Sequence, residues 1–335
     1  HQEDAIRKGL AGQHFVVTSG TGSGKTLTYF VPIFDAVLRG NPGQSRVWAI
    51  VVYPMNALVN SQEEALRQLA EGYQRRTGKP MPVRFARYTG QESDEEKLRL
   101  RQNPPHILLT NYVMLELMLV RPREGLFIEQ GTSALRFLVM DELHTYRGRQ
   151  GADVALLIRR VRERSGNPKL ICIGTSATMV SAGSQGERRE AVAGFASKFF
   201  GVLVEAKNVV EETLRRVIPR NGLPEVTALR QALATPLPLA GNWTAFAANP
   251  LSAWIEDTFG LQVDSGGVLR RRVPIPLTEG AQRLAKITGV AHQTCVARLR
   301  EMLLLGAQTP LPDGANAFAF KLHQFISQGG AVYAT

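Results

Sequence analysis

Between residues 14 and about 180 the chain alternates two apolar patterns. The first is short and nearly continuous, as in "HFVVT", "RVWAIVVYP", "VRFARYT", "HILLT", "LRFLVMD" and "KLICIGTSAT". Runs of that length, rich in Val, Ile and aromatic residues, predict buried strands. The second is longer and periodic. In "GADVALLIRRVRERSG", Val154, Leu157, Ile158 and Val161 fall at i, i+3, i+4 and i+7, one apolar stripe of a helix. Arg159, Arg160, Arg162 and Arg164 lie mostly off that stripe. "KTLTYFVPIFDAVLR" and "ALVNSQEEALRQLAEGY" predict further helices, and Pro104-Pro105 stop another in "DEEKLRLRQ". Strands buried on both faces and alternating with helices predict an α/β fold with a parallel, doubly wound sheet.

After about residue 200 the texture changes. "NGLPEV", "TPLPLAGN" and "RRRVPIPLTEG" are connectors punctuated by Pro and Gly. Between them, "NVVEETLRRVI", "LSAWIEDTFG" and "EGAQRLAKITGVAHQTCVARLREMLLLG" predict helices. The expected organisation is an α/β domain over 1–200, a mostly helical accessory region over 201–320, and strands over 321–335 that open another domain. The last helical segment breaks at "TGVA", in the outline of a helix-turn-helix, with Leu284, Ile287, Val296, Leu299 and Leu303 as its apolar faces. A helical insertion packed on its neighbours is the simpler reading. Trp243 and Trp254 are expected in the core.

Composition narrows the function classes. Apolar residues at 44% and charged residues at 21% are ordinary for a globular chain with a core. The net charge of +11 suits a polyanion such as nucleic acid, although an Arg-rich composition without such a partner gives the same balance. Cys172 and Cys295 have no CxxC spacing, so neither zinc site nor disulfide framework is indicated and a cytoplasmic setting is expected. No apolar run approaches the roughly 20 residues of a membrane span. The chain begins at His1, which suggests a piece of something longer.

Candidate chemistry concentrates at strand ends. "TSGTGSGKTLTYF" lies between a predicted strand and helix, the setting of a phosphate-binding loop. Gly20, Gly22 and Gly24 let backbone N–H groups turn inward, with Ser19, Thr21 and Ser23 between and before them. Lys25 can reach the β- and γ-phosphates and the Thr26 hydroxyl can ligate Mg²⁺. Ser19 stands where the strict pattern has Gly, a mild departure. "FLVMDELHTYRG" ends a strand in Asp141-Glu142. Asp141 would hold Mg²⁺ through water and Glu142 would polarise the attacking water, with His144 beside them. Ser176-Ala177-Thr178 end a further strand, and hydroxyls there could bond the acidic pair and sense the γ-phosphate.

In order and spacing these segments resemble superfamily 2 helicases of the DExH type: Ser19–Thr26, "YPMNALVNSQ", "YTG", "LLTN", Asp141–His144 and Ser176–Thr178. "DELHTYRGRQGADVALLIRRV" is more narrowly similar to the branch of bacterial mitomycin-repair helicases and their relatives in large defence and repair proteins. The resemblance implies a RecA-like first lobe, Mg²⁺-ATP as ligand, and Ser or Thr at position 19. It also implies an adenine-reading role for Gln2, which is otherwise a solvated terminal residue. A nucleic-acid strand, DNA before RNA, would pass Pro54, Asn56, Thr89, Gly90, Thr110 and Asn111 by backbone contacts. Turn and cap chemistry accounts for each of these six singly. Arg147 and Arg149 could reach phosphate or simply be solvated.

Such motors have two lobes, and the second supplies an arginine finger. No Q-x-x-G-R-x-G-R-like run occurs in residues 181–335, so a second lobe of the same longer polypeptide is the expected partner, with "FKLHQFISQGGAVYAT" leading into it. Other defence or repair proteins are further candidates, and slow ATP hydrolysis by this piece alone is expected. The rival is a nucleotide-dependent scaffold that loads partners onto DNA; an acid at Glu142 argues against it.

Overall fold

The computed structural model describes residues 1–20, 24–122, 124, 135–177, 184–212, 214–219, 222–264, 267, 269–319, 324–326 and 332–334. Two compact units divide the chain, His1–Thr213 and Leu214–Thr335.

The first unit is built on seven strands: β1 (Phe15–Thr18), β2 (Ala49–Tyr53), β3 (Phe85–Arg87), β4 (Ile107–Asn111), β5 (Phe137–Met140), β6 (Ile171–Ser176) and β7 (Val209–Glu211). They lie in the order β3-β4-β2-β5-β6-β1-β7, and every pairing is parallel. Parallel neighbours need crossover connections, which here run through the helices α2 (Lys25–Arg39), α3 (Asn56–Thr77), α4 (Asp94–Gln102), α5 (Tyr112–Val120), α6 (Gly148–Ser165) and α7 (Gln185–Phe200), while α1 (Gln2–Leu10) precedes β1.

Strand side chains alternate between two cores. Val16, Ile50, Val52, Leu108, Leu138 and Met140 pack with Leu115 of α5, Val154, Leu157, Ile158 and Val161 of α6, and Phe199 and Phe200 of α7. Phe15, Val17, Val51, Tyr53, Leu109 and Val139 pack on the other face with Ala5, Phe30, Ile33, Val37, Val59 and Leu66 of α1 to α3. The expected doubly wound sheet is therefore present. Its helical stripe on α6 is buried as the spacing predicts.

One expectation fails at the division. "NVVEETLRRVI" forms no α-helix among its described residues. Instead β7 lies parallel to β1, with Val16 opposite Val209 and Val17 opposite Val210. The paired β-branched residues gain burial at the sheet edge, which outweighs a weak helical spacing. The first unit accordingly runs past residue 200.

The second unit contains α8 (Val226–Ala234), α9 (Trp243–Ala248), α10 (Pro250–Ile255), α11 (Leu277–Thr288) and α12 (His292–Gln308). A π turn at Glu256–Gly260 leads into an antiparallel hairpin, β8 (Leu261–Val263) with β9 (Leu269–Arg271). β10 (Gln324–Ile326) and β11 (Val332–Ala334) form another. Leu229, Phe246, Leu251, Trp254, Leu284, Cys295, Leu299 and Met302 make the core, and Trp243 packs against it. Among the described residues no helix is long and apolar enough to cross a membrane.

The same substitution should have opposite signs at two glycines of the first unit. A Cβ on Gly151 would lie 2.7 Å from the Tyr146 carbonyl oxygen, a backbone atom that cannot rotate away. On Gly194, exposed in α7, it would meet nothing within 4 Å. Gly151→Ala is expected to cost about 1–3 kcal/mol. Gly194→Ala should gain about 0.5–1 kcal/mol from lost unfolded-chain freedom. Urea melts of the two variants measure both; equal shifts of one sign would refute the packing argument.

Candidate nucleotide site and nucleic-acid face

In a parallel sheet all strand C-termini share one edge. Here that edge is divided. β1, β6 and β5, adjacent in that order, end at Thr18, Ser176 and Met140. The loop after β1 and the acids after β5 are thus separated by a single strand, whose residues join them. Ser19 is buried, and its N–H donates to the Ser176 carbonyl at 3.1 Å. The Thr175 hydroxyl donates to Asp141 Oδ1 and accepts the Glu142 N–H at 3.2 Å.

Lys25 opens α2. Gly24 caps the helix in the left-handed region at φ +78, where L side chains are strained. The Lys25 ammonium is nearly buried, donates to the Ser19 carbonyl at 3.2 Å and lies 3.5 Å from Glu142 Oε1. Thr26 bonds the hydroxyl of Tyr29, whose titration burial pushes upward. Gln2 is half-buried, and its Nε2 donates to the Gly24 carbonyl at 3.3 Å. A Cβ on Gly24 would collide with that amide at 2.1 Å. Gln2 is therefore packed on the loop rather than solvated. Gly20 is half-buried; Thr21, Gly22 and Ser23 lie outside the described residues.

Burial raises the Asp141 carboxyl to about 6, against the Thr175 hydrogen bond, which favours the charged form. Glu142 has φ 52 and ψ 54, the one non-glycine residue with positive φ among those described. Such backbone costs energy and persists where the surroundings fix it; here the N–H is held by Thr175 and the carbonyl by the N–H and hydroxyl of Thr145. Its Oε2 is buried with no hydrogen-bond donor. His144 Nδ1 lies 3.2 Å away, but Nδ1 accepts the Ala177 N–H at 3.3 Å. That bond puts the ring proton on Nε2, so Nδ1 has no hydrogen for Glu142. The Ser176 hydroxyl is 3.2 Å from the same nitrogen. Thr178 lies outside the described residues.

No group of three or more His, Cys, Asp or Glu side chains that could hold a metal occurs among the described residues. The oxygens at hand are the Asp141 carboxylate, the Thr26 hydroxyl and the orphaned Glu142 Oε2. Mg²⁺ takes hard oxygen ligands and often leans on one or two carboxylates plus substrate phosphates, so this set fits it.

The other half of the edge belongs to β2, β4 and β3. Asn111 caps α5 by accepting the Met114 N–H at 2.7 Å, and its Nδ2 donates to Asn56 Oδ1 at 2.6 Å and the Thr89 carbonyl at 3.5 Å. Thr110 is buried and donates to the Tyr88 carbonyl at 2.6 Å. The Thr89 N–H, its hydroxyl and the Gly90 N–H all donate to the carboxylate of Glu92 at 2.8, 2.9 and 2.9 Å. Glu92 is buried and lies 3.4 Å from Arg87 Nε. The amides expected to meet phosphate thus already hold an anion of the same chain. Pro54, with no N–H and no polar side chain, cannot donate to a phosphate at all. Arg147 turns back onto the His144 carbonyl at 2.9 Å.

Sequence reasoning missed Thr175 and Glu92. The hydroxyl that serves the acids comes one residue before the expected Ser176, because strand alternation points residue 175 toward Asp141. For Glu92, the signal was an acid two residues beyond a turn glycine.

The family described as DEAD/DEAH box helicase matches residues 1–184, more than half of the chain. The ATP-dependent helicase Lhr-Core of Methanothermobacter thermautotrophicus is 32% identical over 189 residues, 53% of this chain and 21% of that protein. Druantia protein DruE of Escherichia coli is 28% identical over 296 residues, covering 56% of this chain and 16% of that protein. The crystal structure of DUF1998 helicase MrfA bound to DNA is similar with a TM-score of 0.51 and 26% identity, over 63% of this chain and 25% of that one. The chain spans only 16% and 21% of the two curated relatives' lengths. The RecA-like fold expected for the first unit is shared with these helicases.

The raised pKa of Asp141 has a stability consequence with a definite sign. A carboxyl whose folded value of about 6 exceeds the ordinary 3.8 stabilises the fold at low pH, and that contribution is lost as pH rises through about 6. Asp141→Asn removes the charge and keeps an oxygen for Thr175. The variant is expected to melt no lower than wild type at pH 7.5 and to lack the wild-type gain, on the order of 1 kcal/mol or more, on acidification to pH 5. Melting curves at the two pH values, without nucleotide, test this; a variant less stable at pH 7.5 would contradict it.

Proposed function

The chain belongs to the DEAD/DEAH box helicase family, and we propose that its first unit is the nucleotide-binding lobe of an ATP-dependent helicase or translocase that acts on DNA. The observation that carries this reading is the convergence of Lys25, Asp141 and Glu142 on one sheet edge, with the Lys25 ammonium 3.5 Å from Glu142. Lys25 would exchange the Glu142 carboxylate for the β- and γ-phosphates, and Glu142, so released, would orient the attacking water. Asp141 and Thr26 would hold Mg²⁺, which neutralises phosphate charge when bound. Gln2, bonded to the Gly24 carbonyl, would read the base. Ser176, Thr175 and His144 would couple the acidic pair to the strand between, and Thr178 would join them.

Support for DNA comes from the similar helicase MrfA, whose structure was determined bound to DNA. The residues around Asn56, Thr89, Gly90, Thr110 and Asn111 would position a strand through its backbone, without reading sequence. A second lobe, opening near residues 321–335, would supply the arginine finger; other repair or defence proteins would assemble around the whole.

Calorimetry with Mg²⁺-ATP tests the site. Lys25→Ala is expected to weaken binding about tenfold or more. Glu142→Gln should retain binding, since it removes the competing anion, and abolish turnover in the full-length protein. Wild-type residues 1–335 should release phosphate slowly, with no stimulation by DNA. No heat with wild type, or undiminished turnover in Glu142→Gln, would sink the reading.

A further inference from the structure

The second unit carries a pattern that the nucleotide site does not use. α11 ends at Gly289 in the left-handed region, φ +71, and after Val290 and Ala291 the chain enters α12. In a plain antiparallel hairpin the start of α12 would lie beside the end of α11. Instead His292, the first residue of α12, has its Nε2 3.2 Å from the Thr278 carbonyl, at the opposite end of α11. Ten residues of helix separate Thr278 from Thr288, a rise of about 15 Å. The first turn of α12 therefore lies across α11, with His292 reaching back to Thr278 while Cys295 bonds Thr288 at the other end. Thr278, Glu279, Gln282, Ala285 and His292 line one groove of about 440 Å³ there.

A third helix locks the pair. Arg230 of α8 donates to the Thr288 carbonyl at 2.8 Å, closing the end of α11, and Arg298 of α12 donates to the Leu233 carbonyl at 3.3 Å, closing the end of α8. Leu229, Leu233, Leu284, Cys295 and Leu299 fill the space between the three. After α12 the chain turns into a short hairpin. Ala317 N–H donates to the Thr309 carbonyl at 2.8 Å, Pro310 bridges Asn316 in antiparallel sense, and Gly314 at φ +83 makes the tip. Phe318 N–H returns to the Gly306 carbonyl at 3.0 Å, so the hairpin is seated on α12.

We propose that α8, α11, α12 and this hairpin form a winged helix-turn-helix module that sets α12 into the major groove of double-stranded DNA, separately from the strand path of the first unit. Three packed helices, a short glycine turn and an exposed second helix are the parts such a reader needs. The first turns of α12 expose Gln293, Thr294, Ala297 and Arg300, small or polar groups suited to base edges and phosphate, and no side chain caps its N-terminal amides. Arg283 and Lys286 are exposed on α11. Among the nearby acids, Glu279 is paired with Arg283 and Glu301 with Arg298. From Leu214 to Thr335 there are 12 Lys and Arg against 7 Asp and Glu, a balance of 12 − 7 = +5 that favours a polyanion.

Fluorescence anisotropy of residues 1–335 without nucleotide tests the module, using a labelled DNA duplex, one of its single strands, and an RNA duplex of the same sequence. Gln293→Ala combined with Arg300→Ala should raise the duplex DNA Kd about tenfold or more. Single-strand binding, the melting curve and Mg²⁺-ATP binding should stay at wild-type levels. Wild type should bind the RNA duplex more weakly, because its deep major groove does not admit a helix. Lys286→Glu, on α11, should weaken duplex binding by itself and steepen no other readout. Unchanged duplex affinity in both variants, an equal loss for single strand and duplex, or equal affinity for the RNA duplex would overturn the proposal. Since no nucleotide is present, failure here leaves the helicase reading standing, and a silent nucleotide site leaves this one standing.

Discussion

A cation and a carboxylate held 3.5 Å apart at the end of a parallel sheet are the constraint on which the candidate site depends. Lys25 and Glu142 are far apart in the chain and meet because β1 and β5 flank the same strand. Their attraction at an effective dielectric near 20 is about 5 kcal/mol before desolvation is subtracted. Removing both groups from water offsets much of that. The pair is thus close to balance, which suits a cation that must change partners. A tighter bond would hold Lys25 away from an incoming phosphate. A looser one would leave a nearly buried ammonium uncompensated.

The strand between them is as important as the acids. β6 gives its carbonyl to Ser19 and a hydroxyl to Asp141, and Ala177, the next residue, gives its backbone N–H to His144. These bonds tie the phosphate loop, the acids and the strand tip into one connected set. A shift in any of them is felt by the other two. The left-handed backbone at Glu142 belongs to this set, since Thr175 and Thr145 hold it from both sides.

Much of this was legible from spacing alone. Short continuous apolar runs located six of the seven strands, because burial on both faces leaves little choice of residue, and the 3.6 period located the α6 stripe. The meeting of Lys25, Asp141 and Glu142 at one sheet edge was legible because the phosphate and metal chemistry expected there admits few side chains. β7 was not, since two valines in an otherwise polar stretch read equally as helix until β1 stands beside them. Thr175 was hidden by register: nothing local distinguishes it from Ser176. The helix-turn-helix outline was visible, but crossing and hairpin packing look alike in a list of apolar positions. The His292 contact with Thr278 separates them.

The carboxylate of Glu92 gives the opposite half of the sheet edge a property of its own. Three donors at this end of the sheet are satisfied internally, and Arg87 lies beside the same carboxylate. The seat is never bare, so any polyanion arriving there must enter by exchange, one negative group leaving as another comes in. Exchange conserves local charge and releases few counterions. Grip at this spot would therefore respond little to ionic strength, and would be governed instead by how readily one short acidic side chain swings aside.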